Sequence, residues 1–114
     1  DRSRMATQAE KYTYQTFWSK EDGEFVSTVA EFPSLSWMDD DASRSQEGLR
    51  NLVAEVLSDL EANGEVVPQP FGERTFSGRF NVRVSSSLHR KLAVDAAREG
   101  VSLNAWVMQK LASA

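Results

Sequence analysis

Arg79, Asn81 and Arg83 are the residues whose types and spacing in this chain could do recognisable chemistry. Side chains of an extended segment alternate between faces, so these three share one face while Phe80, Val82 and Val84 share the other. Two guanidinium forks around a carboxamide can pair bidentately with guanine and adenine edges in the DNA major groove. The competing reading is an exposed strand made soluble by its polar residues. The stretch stands directly before two helical runs in the basic third of the chain, which favours base contact. A second candidate is Ser102-Leu103-Asn104, which opens the last helical run. The first N–H groups of a helix lack helical acceptors and can hold a phosphate. Ser102 can cap the same helix without conflict.

Other residue types argue against catalysis, metals and cofactors. His89 is the single histidine and lies opposite the apolar side of its run, where a solvated residue belongs. There is no cysteine, which removes disulfides and thiolate metal sites. Asp39-Asp40-Asp41 are consecutive, and consecutive loop carboxylates do not converge on an ion as nuclease sites of the RNase H type require. The stretch from Tyr12 to Trp18 adds no carboxylate to them. Tyr12, Tyr14, Phe17, Trp18, Phe25 and Trp37 could stack RNA bases. The acidic charge around them opposes a phosphate backbone, leaving core packing or a protein interface.

These residues need elements to position them. Residues 1–11 are polar and without period, and read as a flexible leader. Tyr12 to Trp18 is aromatic and β-branched, Asp22-Gly23 is hairpin chemistry, Glu24 to Ala30 alternates, and Leu35 to Met38 makes a third short strand. A helix follows, with Ser43-Arg44-Ser45-Gln46 as its capping box. Leu49, Leu52, Val53, Val56, Leu57 and Leu60 form its apolar stripe, and Asn63-Gly64 its stop. Val66-Val67 suggests a last short strand before Pro68-Gln69-Pro70. The divisions are residues 12–70 as a first domain, 71–78 as linker, and 79–114 as strand, helix and helix. One of Ser85, Ser86 and Ser87 caps the first of these helices, and Gly100 ends it. A unit of about 36 residues is too small to bury a stable core alone. Two copies paired through the strand would bury both apolar faces and set the six polar side chains on one ribbon fit for the major groove.

Charge divides the same way. Residues 1–72 hold 6 Lys and Arg against 14 Asp and Glu, a balance of −8; residues 73–114 hold 7 against 3, a balance of +4. An acidic body with a basic tail suggests two partners of opposite character. No apolar run approaches the ~18 residues of a membrane span, and no secretory signal opens the chain.

Arg79-Phe-Asn-Val-Arg-Val, Leu88-His-Arg-Lys-Leu and Gly100-Val-Ser-Leu-Asn-Ala-Trp-Val resemble the Arc/MetJ-type ribbon-helix-helix segment. The N-terminal part is similar to the HicB antitoxin family in four places. These are the hairpin around Asp22-Gly23-Glu24, Phe32-Pro33-Ser34-Leu35, Glu47-Gly48-Leu49-Arg50-Asn51-Leu52, and Gly64 to Pro70. The resemblance runs from about Tyr12 to the C-terminus. The family usually has Ala where this chain has Gly48, and Thr as helix cap where it has Ser43. The resemblance implies an α+β fold: a small antiparallel β-meander with one long helix, partial RNase H-like, followed by a dimerising ribbon-helix-helix. It implies a non-enzymatic antitoxin of a HicA/HicB-like system, cytoplasmic and nucleoid-associated in a prokaryote. Residues 12–70 would neutralise a small basic mRNA-cleaving toxin. Residues 79–114 would form a homodimer, with a tetramer left open, that binds operator DNA and represses its own operon. The alternative is a stand-alone repressor whose first domain senses a ligand or aids oligomerisation.

Overall fold

Tyr14–Ser19 (β1) and Glu24–Val29 (β2) pair antiparallel, with Tyr14 opposite Val29 and Ser19 opposite Glu24. The turn between them closes on Gly23, whose positive φ of 66° suits the residue that lacks a Cβ, and whose N–H donates to the Ser19 carbonyl. Ser36–Asp39 (β3) adds to the far side of β2, giving the order β1-β2-β3. This is a computed structural model, and it describes residues 2–114. It divides into two units, Asp1–Phe76 and Ser77–Ala114, a boundary that falls inside the expected linker. The class is α+β: among the described residues there is one three-stranded antiparallel sheet and four α-helices.

The long helix α2, Ala42–Ala62, covers one face of the sheet. Ser45, Leu49, Val53 and Leu57 recur every fourth residue and form one buried line along it. Val29 and Tyr12 meet this line from the sheet side, and Tyr14, Phe32 and Leu35 pack against the cluster. Its cap differs from the expected one. Asp41 accepts from the Arg44 N–H at 2.9 Å, and Ser43 lies inside the helix. A carboxylate in this place satisfies a free N–H and meets the positive end of the helix dipole, advantages that a hydroxyl only half supplies. Gln46 does not reach back; it bridges Thr16 and Arg50. The stop is as expected, with Asn63 as C-cap and Gly64 at φ 68°.

The polar start of the buried line is satisfied by a directional chain. Ser45 Oγ lies 3.0 Å from the Trp37 carbonyl and 3.1 Å from that of Phe25, so its one proton is directed at these acceptors. Ser27 must then donate to Ser45 (2.8 Å), and Thr16 to Ser27 (2.8 Å). Gln46 donates to Thr16, and Arg50 donates to Gln46. Every donor in the series points from the surface guanidinium toward the sheet backbone.

The expected leader is a correction. Arg2–Ala9 is a helix, α1, and Met5 and Ala9 are buried against α2 in the main cluster. Only two apolar residues, one turn apart, carry this packing, so the segment shows too short a period to be read as amphipathic. Arg4 pairs with Glu61 of α2, and the Tyr14 hydroxyl donates to the Ala9 carbonyl at 2.6 Å. Burial pushes the Tyr14 phenol up to about 12. The expected leader position Asp1 lies outside the described residues.

Residues 65–70 form no strand, contrary to the reading of Val66-Val67. They run as a strap held by side chains. Tyr12 donates its hydroxyl to the Pro68 carbonyl at 2.6 Å, and Pro70 is fully buried. The Glu31 carboxylate accepts from the Phe71 N–H at 2.9 Å while its other bonds go to Thr13. The first residues of the expected linker are ordered too: Phe71–Glu73 is a 3-10 turn, and Phe71 stacks on Phe76.

Candidate DNA-binding and partner-binding sites

In the second unit, Ser86–Glu99 forms α3 and Leu103–Ala112 forms α4. Ser85 caps α3 by accepting from the Leu88 N–H. Gly100 ends it at φ 69°, in the left-handed region, and Val101 closes the turn onto the Ala96 carbonyl. Ser102 caps α4 by accepting from the Ala105 N–H at 3.0 Å. Sequence and structure agree at each of these local signals, because a cap needs only its own turn to form.

Residues 79–84 form no strand within the chain. The sequence reading places them in a two-chain ribbon, and one copy of a strand has no ladder to join. All six residues are exposed, including Arg79, Asn81 and Arg83. Their alternating apolar partners are exposed as well, Phe80 at 73% and Val82 at 66%. Leu88, Val94, Met108 and Leu111 add to the uncovered apolar surface, and Ala96 is the single residue of this unit in the buried class. The indole N–H of Trp106 is shielded from solvent without an acceptor, and Lys110 lies 4.4 Å over its ring. A 38-residue unit with this little burial lacks the core that stability demands.

At the second candidate, the Ser102 hydroxyl is occupied in capping. The N–H groups of Leu103 and Asn104 have no acceptor among the described residues, as is general for a first helical turn. His89 is exposed on α3. Lys91 pairs with Asp95 at 2.8 Å, and its hydrogen bond holds the Asp95 carboxyl below the usual range. Arg79, Arg83, Arg90 and Arg98 enter no ion pair among the described residues.

The aspartate run in the first unit is explained by the helix it precedes. Asp41 is the cap, while Asp39 and Asp40 hold Arg44 at 3.1 and 2.6 Å. The Asp41 N–H bonded to Asp39, with Arg44 beside it, keeps the Asp39 carboxyl below its ordinary value. Among the described residues no three His, Asp or Glu side chains are gathered as metal ligands. A groove along α1 and α2 is wide and open, lined by Met5, Asn51, Ala54, Glu55, Ser58 and Asp59.

Two features of this unit escape a reading of the sequence. Gly48 faces the Trp37 indole so closely that a β-carbon there would overlap the ring. A residue with a side chain at this position would have to displace the ring. The other is the sheet face opposite α2. Phe17 pairs with Val26 and Val26 with Met38, which sets an apolar row across all three strands. The clue was the alternation itself, which promised two faces while the chain offered one long helix to cover them.

Residues 62–111 match the HicB family model, a span that begins at the last residue of α2 and takes in nearly all of the second unit. No curated protein and no solved structure matches the chain. Among the described residues no helix is long and apolar enough to cross a membrane.

Proposed function

We propose that this chain is a HicB-type antitoxin that represses its own operon. The observation that carries the reading is the HicB family match over residues 62–111, the stretch that also holds the exposed Arg79-Asn81-Arg83 face. The match supports a HicB-family protein and, with it, an antitoxin role and a toxin partner. The finer assignments follow from the residues. Two copies pair through residues 79–84, burying Phe80, Val82 and Val84 beneath a ribbon that presents Arg79, Asn81 and Arg83 to base edges. The N–H groups of Leu103 and Asn104, at the Ser102-capped start of α4, take a backbone phosphate. The first unit, at −8 over residues 1–72, suits a basic RNase toxin and steers its encounter.

A second reading, a stand-alone ribbon-helix-helix repressor, is favoured by one observation: the family match leaves residues 1–61 uncovered. Two experiments separate them. Size-resolved binding to the DNA upstream of the native gene, repeated with Arg83→Ala, tests the reading head. Specific binding lost in the variant supports it, and equal binding by both proteins refutes it. Co-expression with the small basic protein encoded beside this gene then tests neutralisation: rescued growth supports the antitoxin, and unrelieved toxicity leaves the repressor.

A further inference from the structure

The sheet of the first unit has an exposed apolar row on its outer face. Phe17 and Met38 are 43% and 50% exposed on the face opposite α2, with Val26 between them. Trp18 and Trp37 belong to the other face, Trp37 opposite Ser27 and against Gly48 of α2, and take no part in this row. No helix of this unit lies against that outer face: α1 packs on α2, and α2 on the other face. An exposed Phe and Met on either side of a Val match the composition of interface centres, which are enriched in Phe and Met.

Charge selects the occupant. Between Tyr14 and Met38 there is one base, Lys20, against the carboxylates of Glu21, Asp22, Glu24 and Glu31. Glu21, Asp22 and Glu24 have no ion-pair partner among the described residues. Glu21 and Asp22 lie in the β1–β2 turn and Glu24 opens β2, so the apolar row has an acidic border at that end. An acidic border repels a nucleic-acid backbone and an anionic membrane, and it disfavours a second copy of the same −8 unit. It attracts a basic protein, with aromatic and methionine side chains as the desolvated centre and the carboxylates as a polar rim.

We propose that the face built on Phe17, Val26 and Met38 is where the basic protein partner docks. This inference rests on the toxin-neutralising reading and assigns that role to one surface.

The test uses the full-length chain and the small basic protein encoded beside its gene. Phe17→Glu and Met38→Glu each put a like charge into the centre and should weaken the complex about 30-fold or more, the size of a hot-spot loss. Val66→Glu, at an apolar residue 89% exposed outside the sheet, should bind as the parent does. Thermal unfolding by circular dichroism checks that the variants remain folded. The chain has no cysteine, so Ser36→Cys gives a unique label on the same face. Complex formation should shield that cysteine from a thiol reagent. If the complex forms and the glutamate variants bind like the parent, the surface is wrong while neutralisation stands. If no complex forms, neutralisation fails and the surface fails with it. If the chain alone self-associates and Met38→Glu abolishes this, the face belongs to a second copy and the inference is overturned.

Discussion

Replacing Gly48 by Ala should destabilise this protein, against the usual trend for a helix interior. Helix propensity alone favours Ala over Gly by about 1 kcal/mol. In this chain the new β-carbon would fall on the Trp37 indole, which must move. Trp37 is 42% exposed, so a little over half of a large aromatic surface, about 140 Å², is covered by the protein. At about 25 cal/mol per Å², that burial contributes roughly 3.5 kcal/mol. Displacing the ring by an atom's width forfeits at least half of it, about 2 kcal/mol. The net expectation is a loss of about 1 kcal/mol or more. The same substitution in a Trp37→Ala background meets no ring and should stabilise by about 1 kcal/mol. Urea unfolding followed by far-UV circular dichroism on the four proteins of the cycle gives the coupling directly. A Gly48→Ala gain equal in both backgrounds would show that the indole does not constrain the helix, and would refute the reasoning.

Three further outcomes are expected. Val82→Ala should weaken dimerisation about 30-fold: two thirds of the side chain remains to be buried, worth about 1 kcal/mol per copy and 2 per dimer. Sedimentation over a dilution series measures this, and Asn81→Ala, altered on the opposite face, should leave the dimer constant unchanged. Asn81→Ala should instead cost about 1–3 kcal/mol of operator binding and relax sequence preference at one position, read by titration against single-base operator variants. The strap should loosen in acid. Burial alone would raise the Glu31 carboxyl, but the Phe71 and Thr13 N–H groups outweigh it and hold it below its ordinary 4.5. A depressed carboxyl contributes stability that is present above 4.5 and lost as pH falls through the lower folded value. Thermal midpoints measured from about pH 6 to about pH 3 should fall less steeply in Glu31→Gln than in the parent.

The parts legible in the sequence are those decided within a few residues. The Asp22-Gly23 turn, the stop at Asn63-Gly64, the Ser85 and Ser102 caps and the left-handed Gly100 each need only their own turn to form. The long helix was legible for a related reason: Leu49, Val53 and Leu57 repeat often enough to reveal a buried line. The cap of that helix was misplaced by two residues, since Asp41 and Ser43 both carry a capping oxygen. Helix α1 was missed because Met5 and Ala9 become a core only when α2 lies against them.

Sequence by itself determined the two-part charge, the alternation at Arg79, Asn81 and Arg83, and the local signals that start and stop each helix. It also determined that residues 79–114 are too few to stand alone, because burial scales with chain length whatever the fold. Tertiary structure alone decided which polar groups could be buried. The Thr16-Ser27-Ser45 chain exists because strand pairing brings Thr16 to Ser27, 11 residues apart, and helix packing brings Ser45 to Ser27, 18 apart, each at 2.8 Å. It alone decided that a side chain at Gly48 of α2 would meet an obstacle, because Trp37 arrives there from β3. It also decided which of two apolar faces the single long helix would cover, leaving Phe17, Val26 and Met38 open. Each of these outcomes depends on residues far apart in sequence meeting in space, a meeting that no local pattern encodes.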